Sequence, residues 1–514
     1  MNTSRPNILF IQVDQLAAQS LRCYGDQICH SPNLDALAKS GRVYDNAYCN
    51  FPLCAPSRFS MATGMLCSKI GVFDNAAEMP ASIPTYAHFL RGAGYQTALS
   101  GKMHFIGPDQ HHGFDLRLTP DLYPADFSWV PNWGNEGDRD TNDPRVVLVS
   151  GVCERSHQID FDEDVARSAI SHLGDIARSE DKRPFFLQVS FTHPHDPFLC
   201  QQEFWDLYEG VDVPMPTTPA MAEKDLDPHS IRLLRDFGML DVAFDEQDIL
   251  RARRAYYGSV SFIDKLIGQI LDALDATGAR DNTAIVFTSD HGEMMGERGM
   301  WMKKHFFEPS LRVPLFISGP DIDAGRTRTL ASLVDLLPTF MGLAEAPGWK
   351  SSVEPLDGED LMSLDEKNDG ERGVFAEYLA ESTTAPIFMI RRGAYKFVCS
   401  SEDPPLLFNV EIDPGERHNL AQDTEHEAIL NAFQSEAERR WDTAGLTKSI
   451  VLSQRRRQSI VTAMQQGTPV RWNHDETAQD QTPWYRGEGS YNEWAFDFVP
   501  VKKKPKKIPI LRNT

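Results

Sequence analysis

A near-continuous apolar run, Asn7–Val13, ends abruptly at Asp14. A run of Ile, Leu, Phe and Val with almost no polar alternation has no wet face, so it describes a strand buried on both sides. Such a strand belongs inside a parallel sheet covered by helices. Residues 95–100, 185–192, 283–289 and 313–318 read as further core strands. Helical segments lie between them. Ser31-Pro32 opens one as N-cap and first-turn proline, and Gly41 closes it. Residues 162–178 read as another. Residues 246–276 form the longest, with Ile249, Ala252, Tyr256, Val260, Ile263, Ile267, Ile270 and Leu274 at three- and four-residue steps. Strands alternating with helices predict an α/β sandwich around a large, mixed, mostly parallel sheet. Ligands of such sheets gather outside the carboxyl ends of the strands. Asp14, His104, His195 and Asp290 all follow predicted strands at that end.

The pattern changes after about residue 365. Short strands at 374–378, 387–391 and 396–400 precede a helix at about 425–441, which reads as a smaller α+β domain. The expected division is 1–365, 366–445 and an extension, 446–514. The extension is polar with few periodic signals, yet carries Trp472, Trp484, Tyr485, Tyr491, Trp494, Phe496 and Phe498. Aromatics there imply that it packs on something, and a contact between subunits is expected.

Composition removes several function classes. The net charge is −23, so a nucleic-acid partner is not expected. The basic run 502–507 reads as a solvated tail, or more sharply as a contact with an acidic neighbouring subunit. The apolar runs are too short to span a bilayer, and the run after Met1–Pro6 is too short for a signal peptide. The eight cysteines include no CxxC pair, so reduced, buried thiols in a cytoplasmic protein are expected, with no zinc site.

Three motifs carry chemistry: Leu53-Cys54-Ala55-Pro56-Ser57-Arg58; Gly94-Tyr95-Gln96-Thr97-Ala98-Leu99-Ser100-Gly101-Lys102-Met103-His104; and Asp290-His291-Gly292. In that order they resemble the signatures of type I sulfatases, the formylglycine enzymes of the alkaline-phosphatase superfamily. Ala62 departs from the bulky residue usual there, at a packing position. The resemblance implies that a formylglycine-generating enzyme oxidises Cys54, and that the hydrated aldehyde attacks sulfur and later expels sulfate. It implies one divalent ion, Ca2+ or Mn2+, on Asp14, Asp290, His291 and position 54. Arg58 and Lys102 then orient the nucleophile, and His104 is the base that breaks down the sulfated intermediate. His195 is the leaving-group proton donor, with His193 as the alternative, and Lys303 contacts the sulfate. Many sulfatases have two adjacent Asp residues where this chain has Asp14-Gln15, a variant resembling choline sulfatases and phosphonate monoester hydrolases.

Similarity to choline sulfatases extends well beyond the site, through Ile83-Pro84-Thr85-Tyr86-Ala87-His88, Tyr123-Pro124-Ala125-Asp126-Phe127 and Phe204-Trp205-Asp206-Leu207-Tyr208. A quaternary ammonium cannot donate hydrogen bonds and is held by aromatic faces and carboxylates. The resemblance assigns that contact to Trp129, places Asn75 near the sulfate, and offers Glu381 as counter-charge. Two stretches depart. Asp140-Thr141-Asn142-Asp143-Pro144-Arg145 stands where choline sulfatases have an aromatic run ending in His, and an Arg there would repel choline. The last residues also differ. Either Trp494, Phe496 and Asp497 rebuild the cage, or the substrate is another alkyl sulfate, an aryl sulfate, a phosphonate monoester or a phosphodiester. A homodimer or homotetramer is implied. The competing class, a binding protein that has lost its chemistry, sits poorly with an intact nucleophile motif and ligand set.

Overall fold

The computed structural model describes residues 5–133, 143–346, 354–364, 371–468, 472–474 and 494–500. Asp140, Thr141, Asn142, Trp484, Tyr485, Tyr491 and the basic run 502–507 lie outside the described residues.

Asn7–Val13 is the central strand the sequence requires. It pairs in parallel with Phe185–Ser190 on one side and Thr283–Ser289 on the other. The full sheet has eight strands, in the order Gly325–Ser332, Arg42–Tyr48, Leu315–Ser318, Thr283–Ser289, Asn7–Val13, Phe185–Ser190, Gln96–Gly101, Leu116–Arg117. Only Leu315–Ser318 runs antiparallel to its neighbours. Alternate residues of the central strand supply cores on opposite faces. Ile8 and Phe10 pack with the helices Cys54–Thr63, Tyr86–Gly92 and Leu336–Leu343. Leu9, Ile11 and Val13 pack with Pro32–Ser40, His157–Arg178 and Glu246–Ala276. The α/β expectation therefore holds, and the long helix has the anticipated bounds, opened by an Asp245–Asp248 capping box.

Beyond residue 371 a separate antiparallel sheet has the order Gly373–Tyr378, Ile387–Arg392, Tyr395–Ser400, Leu406–Asn409, and is followed by the helix Glu427–Arg440. Where few periodic signals are present in the sequence, the extension opens with a 22-residue helix, Thr443–Met464. Only Ile450, Gln454 and Arg457 of that helix are buried, and two of these are polar. Its inward stripe is therefore nearly invisible to apolar periodicity. The helix packs on its own chain. Gln454 Oε1 accepts from the Trp133 N–H at 3.0 Å, and Arg457 makes a two-pronged contact with Asp74 at 2.6 and 2.7 Å. Phe498–Pro500 adds an edge strand to Gly151–Ser156. No described helix is long and apolar enough to cross a membrane.

Candidate active site

Four neighbouring strands, Thr283–Ser289, Asn7–Val13, Phe185–Ser190 and Gln96–Gly101, deliver the residues that follow them to one place. These are Asp290 and His291, Asp14, His193 and His195, and Lys102 and His104. Two glycines allow the crowding. A Cβ at Gly101 (φ +104°) would stand 1.9 Å from the Ser190 carbonyl oxygen, and one at Gly292 would stand 2.0 Å from that of Pro309. Gln15, His104, Met302 and Lys304 have φ of 64°, 60°, 66° and 78°. Non-glycine residues avoid that region, and such strain persists where the surroundings over-determine it, often at sites of function.

Cys54 is the first residue of its helix, all ten residues of which are buried. Its Sγ lies 3.2 Å from His291 Nε2 and 3.8 Å from Asp14 Oδ1. One donor atom each from Asp14, Cys54, Asp290 and His291 falls within 4.8 Å of the others. Arg58, one helical turn on, is fully buried and gives Nη2 to Asp14 Oδ2 at 2.8 Å and Nε to Asp290 Oδ2 at 2.9 Å. Lys102 Nζ also binds Asp14 Oδ2. Each carboxylate thus spends Oδ2 on cations, while both Oδ1 atoms sit 3.7 Å from His291 Nε2. His291 Nδ1 is 3.0 Å from the Gly292 carbonyl. A carbonyl can only accept, so Nδ1 carries the proton and the Nε2 lone pair faces the carboxylates. Two carboxylate oxygens, one neutral imidazole nitrogen and the position-54 side chain suit a divalent ion of the calcium or manganese kind. Burial alone would raise the Asp14 carboxyl, but the cations of Lys102 and Arg58 outweigh it and hold the group well below the carboxylate range.

His104 is 1% exposed, and neither ring nitrogen has a hydrogen-bond partner among the described residues. Burial first, then Lys102, pushes its pKa well below the usual value, so the ring is neutral. It stacks on Tyr123 at 4.5 Å and meets Trp129 edge-on at 5.8 Å. The Tyr123 ring also lies 3.9 Å from Lys102 Nζ. His195 Nε2 is 2.7 Å from Lys303 Nζ, and His195 Nδ1 is 2.7 Å from the Asp196 carbonyl. An ammonium can only donate, so these two groups share a single proton between Nζ and Nε2. Burial works against the Lys303 charge, but Cys54, Asp196, Asp14 and Glu293 raise its pKa nonetheless. His193 lies apart from this pair: its Nδ1 is 2.7 Å from Asp162 Oδ2 and its ring packs edge-on against Phe262.

All six residues expected to act on the ester therefore converge with the four expected metal ligands, Cys54 being counted in both sets. The three expected substrate contacts are placed differently. Trp129 joins the aromatic wall beside His104. Asn75 Oδ1 accepts from the Ala55 N–H at 3.0 Å, capping the Cys54 helix. Glu381 is bound by Lys304 Nζ at 2.8 Å, so its charge already has a partner. Arg145 pairs with Asp143 at 2.7 Å and lies 4.6 Å from the Phe496 ring. Trp494 stacks on His157 at 5.1 Å, and Asp497 meets His157 at 3.2 Å. Sequence reading did not single out Asp196, Glu293 or the Asp74–Arg457 pair, and it gave Tyr123 no role although that residue opens a stretch shared with choline sulfatases. Each acquires its place by packing.

The sulfatase family model matches residues 6–346, and that described as N-sulphoglucosamine sulphohydrolase, C-terminal, matches 296–442. The chain is 42% identical over 484 residues to a choline-sulfatase of Rhizobium meliloti (strain 1021), covering 92% of this chain and 94% of that one. It is 28% identical over 456 residues to an arylsulfatase of Clostridium perfringens (strain 13 / Type A), covering 83% and 92%. In fold it resembles the crystal structure of the phosphonate monoester hydrolase of Agrobacterium radiobacter, with a TM-score of 0.68 at 24% identity, covering 87% and 96%.

Proposed function

This chain belongs to the sulfatase family and hydrolyses sulfate esters, and from that premise we propose that it acts on an alkyl sulfate, choline-O-sulfate, through formylglycine made from Cys54. The convergence of Asp14, Cys54, Asp290 and His291 under Arg58 and Lys102 is the observation that carries the chemistry. A formylglycine hydrate at position 54 supplies a hydroxyl nucleophile. Asp14, Asp290, His291 and position 54 would hold a divalent ion, Ca2+ or Mn2+, which would supply the positive charge needed to acidify that hydroxyl and offset the charge of the sulfate.

The chain's own residues do the rest. Arg58 and Lys102 keep Asp14 ionised, and Arg58 holds both carboxylates in place. Lys102 and Lys303 offer cations to the sulfate oxygens. His104, neutral and with both ring nitrogens unbonded among the described residues, accepts the proton from position 54 as the enzyme is regenerated. The His195–Lys303 pair delivers its shared proton to the leaving oxygen. Trp129, beside the His104–Tyr123 stack, offers an aromatic face to a quaternary ammonium, and Asn75 holds the helix that presents position 54. We assign residues 1–365 to a catalytic domain, 366–445 to a smaller domain and 446–514 to an extension reaching a neighbouring subunit in a homodimer or homotetramer. A cytoplasmic site of action is consistent with the seven cysteines other than Cys54 being free thiols.

A second reading, an aryl sulfate or a phosphonate monoester, draws on the Lys304–Glu381 ion pair, which already neutralises the expected counter-charge. The test is kcat/KM for choline-O-sulfate, an aryl sulfate and a phosphonate monoester, on protein coexpressed with a formylglycine-generating enzyme. A choline-O-sulfate value far above the others supports the first reading, and a value at or below them selects the second.

A further inference from the structure

Glu293 has no part in the chemistry above, yet it is fully buried and both of its oxygens are engaged. Oε1 accepts the backbone N–H groups of Met295 at 2.8 Å and Met302 at 2.7 Å. Oε2 accepts from Gln15 Nε2 at 2.6 Å, and the same amide nitrogen donates to Asp196 Oδ1 at 3.0 Å. Two carboxylates on one side decide the amide's orientation, because a flipped amide would set its oxygen against two acceptors. The Gln15 oxygen therefore points the other way, where it accepts from Lys303 Nζ. Lys303 Nζ in turn meets His195 Nε2. Met295 and Met302, the two backbone positions Glu293 holds, have φ of 50° and 66°, a conformation that needs tethering. The residue that follows Met302 is Lys303.

We propose that Glu293 is a positioning residue for leaving-group protonation: it pins the turn that ends at Lys303 and orients the Gln15 amide, and through both it aims the lysine at His195. The inference rests on the sulfatase reading of the site. It also accounts for glutamine at position 15. An acid there would place a third buried carboxylate against Asp196 and Glu293, which like-charge repulsion disfavours.

The test uses the full chain with conversion at position 54 measured by mass. Values of kcat and KM are taken for aryl sulfates of rising leaving-group pKa and for one alkyl sulfate. Glu293→Gln is expected to lower kcat on the alkyl sulfate by about 10- to 100-fold, the usual effect of removing a group that orients an active-site ligand. The most activated aryl sulfate should lose far less, KM should move less than kcat, and Glu293→Asp should recover part of the loss. Gln15→Met, which leaves the turn's tethers in place, should steepen the leaving-group dependence in the same direction. An equal loss across the series, or full activity on the alkyl sulfate, overturns the proposal. A crystal structure of Glu293→Gln is expected to lack the Lys303–His195 contact, and its persistence also overturns it. Wild-type turnover of sulfate esters measures the earlier reading, whereas the slope and the contact measure this one.

Discussion

Arg457→Met tests how the Thr443–Met464 helix is held to the catalytic part of the chain. The Arg457 and Asp74 side chains are 6% and 0% exposed, so the small values typical of surface ion pairs do not apply. Removing the guanidinium withdraws both of its contacts and leaves the Asp74 carboxylate buried, with the Ala76 N–H at 2.9 Å as its remaining donor among the described residues. Breaking one side of a buried pair costs about 3–5 kcal/mol. The helix buries little else, so the loss should appear as local opening rather than global unfolding. Hydrogen exchange over residues 443–464 should lose roughly two to three and a half powers of ten in protection. Replacing both partners, Asp74→Asn with Arg457→Met, should recover about 2 kcal/mol relative to the sum of the single losses. Activity should fall as well, because Asn75 beside Asp74 caps the Cys54 helix. Protection within tenfold of wild type in Arg457→Met, or strictly additive losses in the double variant, would refute the argument.

Four further outcomes are expected. Cys54→Ala abolishes turnover of every sulfate ester while circular dichroism and the melting temperature stay near wild type; retained turnover would sink the nucleophile assignment. His195→Ala costs more kcat on alkyl than on activated aryl sulfates, and equal losses would remove it as half of the proton-donating pair. Chelation of divalent ions lowers kcat/KM, and restoring Ca2+ or Mn2+ recovers it, with stabilisation of about 2.7 kcal/mol when the ion stands at 100 times its Kd; unchanged activity and Tm after chelation would exclude the ion. His112 and His229 are pushed down to about 4 and about 3, burial being the largest cause for each. Between those values and the unfolded value near 6.5 the unfolded chain binds more protons than the folded one, so stability falls as pH drops through about 6.5. Tm should decline from pH 7 to pH 5 with a shallower slope in His229→Gln, and a flat Tm would contradict the sign.

Local signals settled much of this protein before any packing was known. The apolar run Asn7–Val13 and the stripe along Glu246–Ala276 demand a buried strand and a long amphipathic helix, because solvent exclusion acts on residues close in sequence. The Cys54–Arg58, Gly94–His104 and Asp290–Gly292 motifs name the residues that follow the strands, and a parallel sheet then brings those ends together. Periodicity fails where the buried face is itself polar. The Thr443–Met464 helix turns Gln454 and Arg457 inward, and the Trp133 backbone N–H for the one and a carboxylate at Asp74, 383 residues away, for the other make that burial tolerable. The same holds for the tyrosine under Lys102, the lysine that occupies Glu381, and the two carboxylates that orient Gln15. Each depends on which distant group arrives opposite, and the desolvation of a buried charge or amide decides that partnership only once the chain has folded around it.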